Sequence, residues 1–252
     1  MIVQDAGLFI AGFVSWAIST LSAGGGSMLM VAAASAMLGG HAIAPVVTCT
    51  SLVAAPARMA LFWEHIDWRV ARWYLPGAVA GALLGSWIFT LLSAQIVQTC
   101  VALFLISTVW QYRAGERTRS FLMRLRWFPA VAFVSGLTSA VVGASGLLAN
   151  PFYLNYGMVK ERMIATRAVN SLSIQVVKIG AYAALGALDW DLLRHGLSAG
   201  AGAALAIWIS RTWLRHLDSR LFRQLTVLVM LIAGILALWQ QRAWLLGLAG
   251  LH

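Results

Sequence analysis

The sequence predicts an all-α integral membrane protein: two repeats, each a glycine-broken helical segment plus three transmembrane helices, inverted relative to each other. Three observations carry this expectation: the composition, the lengths of the apolar runs, and a self-match at an offset of 120 residues. Of 252 residues, 61% are hydrophobic and 10% charged, with a mean hydropathy of +0.81, which soluble domains do not approach. Apolar runs of about 20 residues, enough to cross a hydrocarbon core of about 30 Å as a helix, fall near 41–63, 70–92, 94–112, 160–186, 192–210 and 221–240. Two further runs, 6–37 and 127–156, are longer and interrupted by glycine. Alternating ten-residue strand patterns are absent, and a helix satisfies its own backbone in lipid, so the spans read as helices.

Shifting the chain by 120 residues aligns Phe13-Val14-Ser15 with Phe133-Val134-Ser135, Ser19 with Ser139, Gly26 with Gly146, Ser51-Leu52 with Ser171-Leu172, and Arg58 with Lys178. Two more residues of offset align Asp67-Trp68 with Asp189-Trp190. The expected organisation is a first membrane repeat over 1–112, a cytoplasmic linker over 113–126 in the most charged stretch of the chain, and a second repeat over 127–252.

Each repeat opens on a segment in which glycine weakens the helix, STLSAGGGSMLMV at 19–31 and SAVVGASGLLANPFYL at 139–154. Glycine costs about 1 kcal/mol in a helix interior. Gly24-Gly25-Gly26 and Gly143-Ala144-Ser145-Gly146 are therefore expected breaks, with Pro151 near the start of a second half-helix. Close packing of small residues between helices is the competing explanation.

The cations decide between two topologies. If each broken segment crosses once, eight crossings leave nine Lys and Arg residues on one side and six on the other, a poor fit to the excess of cytoplasmic cations. If each broken segment turns back within the membrane, the split is thirteen to two, with Arg58, Arg167 and Lys178 left inside the spans. The second arrangement inverts the repeats and places the N-terminus outside.

A charge inside a bilayer normally faces a cavity or a partner. Arg58 lies about 9 Å of helical rise from Glu64, and Lys178 about 16 Å from Asp189, too far for the lysine to reach water by snorkelling alone. All eight carboxylates, Asp5, Glu64, Asp67, Glu116, Glu161, Asp189, Asp191 and Asp218, fall at segment ends or in loops. Intramembrane cations without carboxylates point to an anionic substrate. The broken helices add a second component, because a half-helix starting inside the membrane directs unpaired N–H groups and the positive end of its dipole at the site. The expected substrate-binding set is Arg58, Lys178, Gly25, Gly26, Ser27, Ser145, Gly146, Thr50, Ser51, Asn150, Asn170 and Ser171. Thr48 and Gln175 are further donors. Each hydroxyl or amide taken singly also suits an interhelical hydrogen bond.

Other functions fare worse. The net charge of +10 sits in short loops, not along one face of a soluble fold, which argues against nucleic acid. Cys49 and Cys100 show no metal-ligand spacing, no cofactor motif appears, and the five histidines are scattered without a hydrolase signature. The N-terminus lacks the basic region and cleavage site of a signal peptide and is expected to stay as the first membrane segment. An anion channel built on the same cations is the alternative to a carrier, and homo-oligomerisation is left open.

The glycine-rich openings SAGGGSML and VGASGLLANP, the TSL at 50–52 and NSL at 170–172, the loops IDWR and LDWD, and the helix PGAVAGALLGSWI together resemble the sulfite exporter TauE/SafE family of permeases, over residues 6–240. The resemblance implies export of sulfite, sulfoacetate or related small sulfur-containing anions across the bacterial cytoplasmic membrane. Ala32-Ala33-Ala34 departs from the pattern, since a proline like Pro151 is expected there.

Overall fold

A computed structural model describes residues 2–22, 24–38, 40–88, 121–142, 147–184, 186 and 188–240. Among these the secondary structure is helical, without strands: α1 (Ile2–Leu21), α2 (Gly26–Met37), α3 (Gly40–Leu61), α4 (Trp68–Ile88), α5 (Phe128–Val142), α6 (Asn150–Tyr156), α7 (Lys160–Ala184), α8 (Trp190–His216) and α9 (Ser219–Gln240). Short 3-10 turns at Trp63–His65 and Leu125–Trp127 precede α4 and α5. The run expected at 94–112, and the linker up to residue 120, lie outside the described residues. Among the described residues, two helical stretches, Ala42–Leu61 and Trp190–Leu214, are long and apolar enough to cross a membrane.

The first glycine-broken segment forms a hairpin. A Cβ on Gly26, at the start of α2, would meet Ser15 and Ser19 of α1, and one on Gly7 would meet Met37 at the end of α2. The two helices therefore run antiparallel. The second broken segment returns in the same way, since the ring of Phe128 at the start of α5 packs tilted against Tyr153 and edge-on to Tyr156 of α6, with ring centroids 5.5 and 5.3 Å apart. Pro151 falls in the first turn of α6, as expected.

Two close seams fix the remaining helices. Cβ atoms on Gly77, Gly81 and Gly85 of α4 would strike the carbonyls of Pro129, Phe133 and Leu137 of α5. Glycine at every fourth position lets the two backbones touch, and the ascending order makes α4 and α5 parallel. The seam between α1 and α8 is alike: Gly12 abuts Ala199, and Gly202 abuts Phe9 and Phe13. Arg58, late in α3, meets Ser19 at the end of α1, and Lys178, late in α7, meets Ser139 at the end of α5, whereas Asp67, just past α3, meets Arg162 and Thr166 at the start of α7; α3 and α7 are thus opposed, and α5 points opposite to α1. Helices α3 and α7 pack on each other at the centre, α3 also on α8, and α4 also on α7.

The Asp-Trp pairs share one local role. Asp67 accepts from the backbone N–H of Arg69 and Val70 (3.1 and 3.3 Å), and Asp189 from that of Leu192 (2.8 Å), each satisfying orphan donors at a helix start. Elsewhere, large apolar side chains face outward. Ile10, Val14 and Ile18 form an exposed stripe along α1 at four-residue spacing, and Trp87, Trp208 and Trp213 are each more than 60% exposed. Such a surface suits an apolar surrounding better than water.

Candidate anion site

The break between α1 and α2 is glycine by necessity. Gly24 and Gly25 have φ of +155° and +89°, values that a side chain disfavours. Gly24 is also pressed from outside, since a Cβ there would come within 3.0 Å of Arg167 Nη1 and Asn150 Nδ2. The first backbone bond of α2 runs from Leu29 N to Gly25 O at 2.9 Å. The N–H groups of Gly26, Ser27 and Met28 thus precede the helical ladder and carry the positive end of its dipole. No acidic residue lies in that first turn.

This helix start borders a cavity of about 70 Å³, room for a few water molecules or one small ion. Its walls come from both halves of the chain: Gly24 to Ser27 at the break, Ser51 and Arg58 from α3, and Arg167, Asn170, Ser171 and Gln175 from α7. Ser19 and Ser139 face it from α1 and α5, and Tyr74 and Tyr153 close it. Arg58 donates from Nη2 to Ser19 Oγ (2.9 Å) and, at 3.4 Å, to Thr20 Oγ1. Asn170 Nδ2 donates to the Tyr153 hydroxyl (2.6 Å), and the Tyr153 ring stacks on Tyr74. The buried Oε1 of Gln175 has no hydrogen-bond partner.

Among the described residues no carboxylate lines the cavity. The described acids sit at or between the ends of helices. Asp67 pairs with Arg162 at 2.6 Å, and Asp5 with His195 at 2.6 Å and Arg194 at 3.3 Å. Two guanidinium groups, a helix start and several hydroxyls converge on a cavity lined by no described carboxylate, and that arrangement stabilises an anion.

The expected site residues divide into groups. Arg58, Gly25, Gly26, Ser27, Ser51, Asn170 and Ser171 line the cavity. Asn150 is fully buried beside Gly24, its amide oxygen and nitrogen without hydrogen-bond partners, one step behind the wall. Thr50 is turned into helix packing, donating to Val46 O at 2.8 Å and lying 3.3 Å from Gly196 O, and Thr48 donates to Ala44 O. Lys178 is fully buried outside the lining, with Nζ 3.4 Å from Ser139 Oγ and 5.8 Å from the centre of the Tyr182 ring. Ser145 and Gly146 lie outside the described residues. The short α6, seven residues long, does not offer a second helix start comparable to that of α2.

The residue that the sequence reading left out is Arg167. The sequence shows it as an intramembrane cation, but 120 residues before it stands Val47, so no matched cation marks it. Ser19 and Ser139 stand as a matched pair in the sequence, outside the expected binding set, and both line the cavity.

No curated protein and no solved structure matches significantly, whereas the profile described as sulfite exporter TauE/SafE matches residues 8–237. That family consists of membrane transporters of sulfur anions such as sulfite, not enzymes. A match over nearly the whole chain shows that this protein belongs to the sulfite exporter TauE/SafE family of membrane permeases.

Proposed function

We propose that the protein exports small sulfur-containing oxyanions, sulfite or an organosulfonate such as sulfoacetate, across the bacterial cytoplasmic membrane, holding the anion in the cavity between α2, α3 and α7. The observation that carries this reading is the convergence of Arg58 and Arg167, from opposite halves of the chain, on one cavity lined by no described carboxylate. The start of α2 and the hydroxyls of Ser51 and Ser171 supply further donors. An inside-negative potential favours outward movement of a monovalent anion by about 2.3 kcal/mol per 100 mV. The proposed export is therefore electrogenic facilitated diffusion.

The architecture in this proposal is a pair of inverted repeats, 1–112 and 127–252, joined by the cytoplasmic linker 113–126. Three features support it: the antiparallel hairpins at both broken segments, the opposed directions of α1 and α5, and the pair Arg162–Asp67. Eight crossings with parallel repeats would put residues 67 and 162 on opposite faces of the membrane, whereas the inverted arrangement puts them on the same one, where they meet at 2.6 Å.

The test is sulfite efflux from proteoliposomes under an imposed potassium potential. Efflux should follow the potential and fall at least about 100-fold in Arg167→Met, as loss of a charge-assisted contact to a buried anion implies. Undiminished flux in Arg58→Met and Arg167→Met, each still monodisperse, refutes the site. Large unitary currents would point to an anion channel on the same path.

A further inference from the structure

Ser19 and Ser139 stand 120 residues apart, on α1 and α5, which run in opposite directions, and both face the cavity. Each touches a cation: Arg58 Nη2, on the cavity wall, lies 2.9 Å from Ser19 Oγ, and Lys178 Nζ, behind the wall, lies 3.4 Å from Ser139 Oγ. These cations also stand 120 residues apart. A guanidinium or an ammonium has hydrogen-bond donors and no acceptor, so in both contacts the serine oxygen must accept. The serine's own proton is thereby directed away from the cation. Neither serine donates to another described residue, and the open volume beside each is the cavity.

We infer that Ser19 and Ser139 are a matched pair of hydroxyl donors to the transported anion, each oriented by the cation that donates to it, and that Lys178 serves as a positioning residue acting through Ser139. This accounts for a fully buried lysine that does not line the cavity, and it adds two binding residues to the arginines and the helix start. Polarisation by the cation also strengthens the hydroxyl as a donor, since hydrogen bonds in a chain reinforce one another. The ligand so recognised is an oxyanion with at least two oxygens exposed in different directions, such as an –SO₃ group, in preference to a monatomic anion.

This inference rests on the transport reading above, and the experiment separates the two. Sulfite efflux is measured as KM and Vmax in proteoliposomes of the full chain. Ser19→Ala and Ser139→Ala should each raise KM about tenfold, the loss of one hydrogen bond to a charged group, with Vmax held within about threefold. Lys178→Met should match Ser139→Ala, and the double variant should be no worse than either alone, because the lysine acts through the serine. Lys178→Arg, which keeps a donor, should restore most of the affinity. A wild-type KM in Ser139→Ala, or losses that multiply in the double variant, overturns the inference. If Lys178→Met does not fold, Ser139→Ala and Lys178→Arg still decide it. Arginine variants with undiminished flux would sink the transport reading itself, whereas arginine dependence with an indifferent Ser139 sinks only this inference.

Discussion

Arg58 and Lys178 occupy matching places in the two halves of the chain, each touching the matching serine, yet the first lies on the cavity wall and the second lies behind it. The difference comes from their neighbours. Beside Arg58 is the glycine break, where Gly24 and Gly25 take positive φ and leave open space with a twelve-residue helix pointing into it. Beside Lys178 is Tyr182, whose ring lies under the ammonium and whose hydroxyl is 3.3 Å from Ala140 O. Matched sequence positions thus share a hydrogen bond without sharing access, and which of the two meets a ligand depends on the volume left open around it.

The largest effect that tests this contrast is expected at the arginines. Arg58→Met and Arg167→Met should each weaken sulfite binding roughly 100-fold in a thermal-shift titration, against about tenfold for Lys178→Met. Equal losses at 58 and 178 would erase the distinction. Next comes the break: Gly25→Ala places a side chain at φ +89° and should cost about 1–2 kcal/mol of stability, read as a lowered melting temperature together with weaker anion binding. An alanine at Gly180, where a Cβ would meet nothing within 4 Å, should be stable and bind sulfite normally.

Smaller effects probe the frame around the site. Single cysteines at Glu64 and Thr212 should label from the cytoplasmic side and one at Leu188 from outside, in a background lacking Cys49 and Cys100. Opposite-side labelling of 64 and 212 would break the inverted arrangement. Arg162→Ala removes a pair whose arginine is 53% exposed, so it should cost no more than about 1 kcal/mol and leave sulfite affinity unchanged. Thr50→Val should be the mildest for function, costing about 1 kcal/mol through its lost hydrogen bonds without moving the KM.

Much of the frame was legible because it is written in local chemistry. Glycine at 24–26 cannot sustain a helix there, Pro151 suits a helix start, and Asp67 and Asp189 cap the helices they precede. Arg58, Ser51 and Ser171 could be picked out as polar groups in apolar surroundings. What sequence could not supply is the crossing of α3 and α7, which brings residue 167 of one helix to the cavity lined by residue 58 of the other. Arg167 has no matching cation at Val47, and Thr50 differs from Ser51 only in the side of α3 it faces. Those distinctions arise from tertiary packing and leave no trace in spacing.

The glycine seams carry a consequence for how such a protein can be divided. Helix α1 is pressed against α8 and α4 against α5, so each seam joins the first part of the chain to the second. A gene cut at the linker would yield two polypeptides that each display a bare glycine groove waiting for a backbone made by the other. Neither piece keeps its own stable inventory of contacts. On the proposed inverted arrangement, an ancestor of half this length would have needed a second copy of itself, inserted the opposite way up, before either groove was filled.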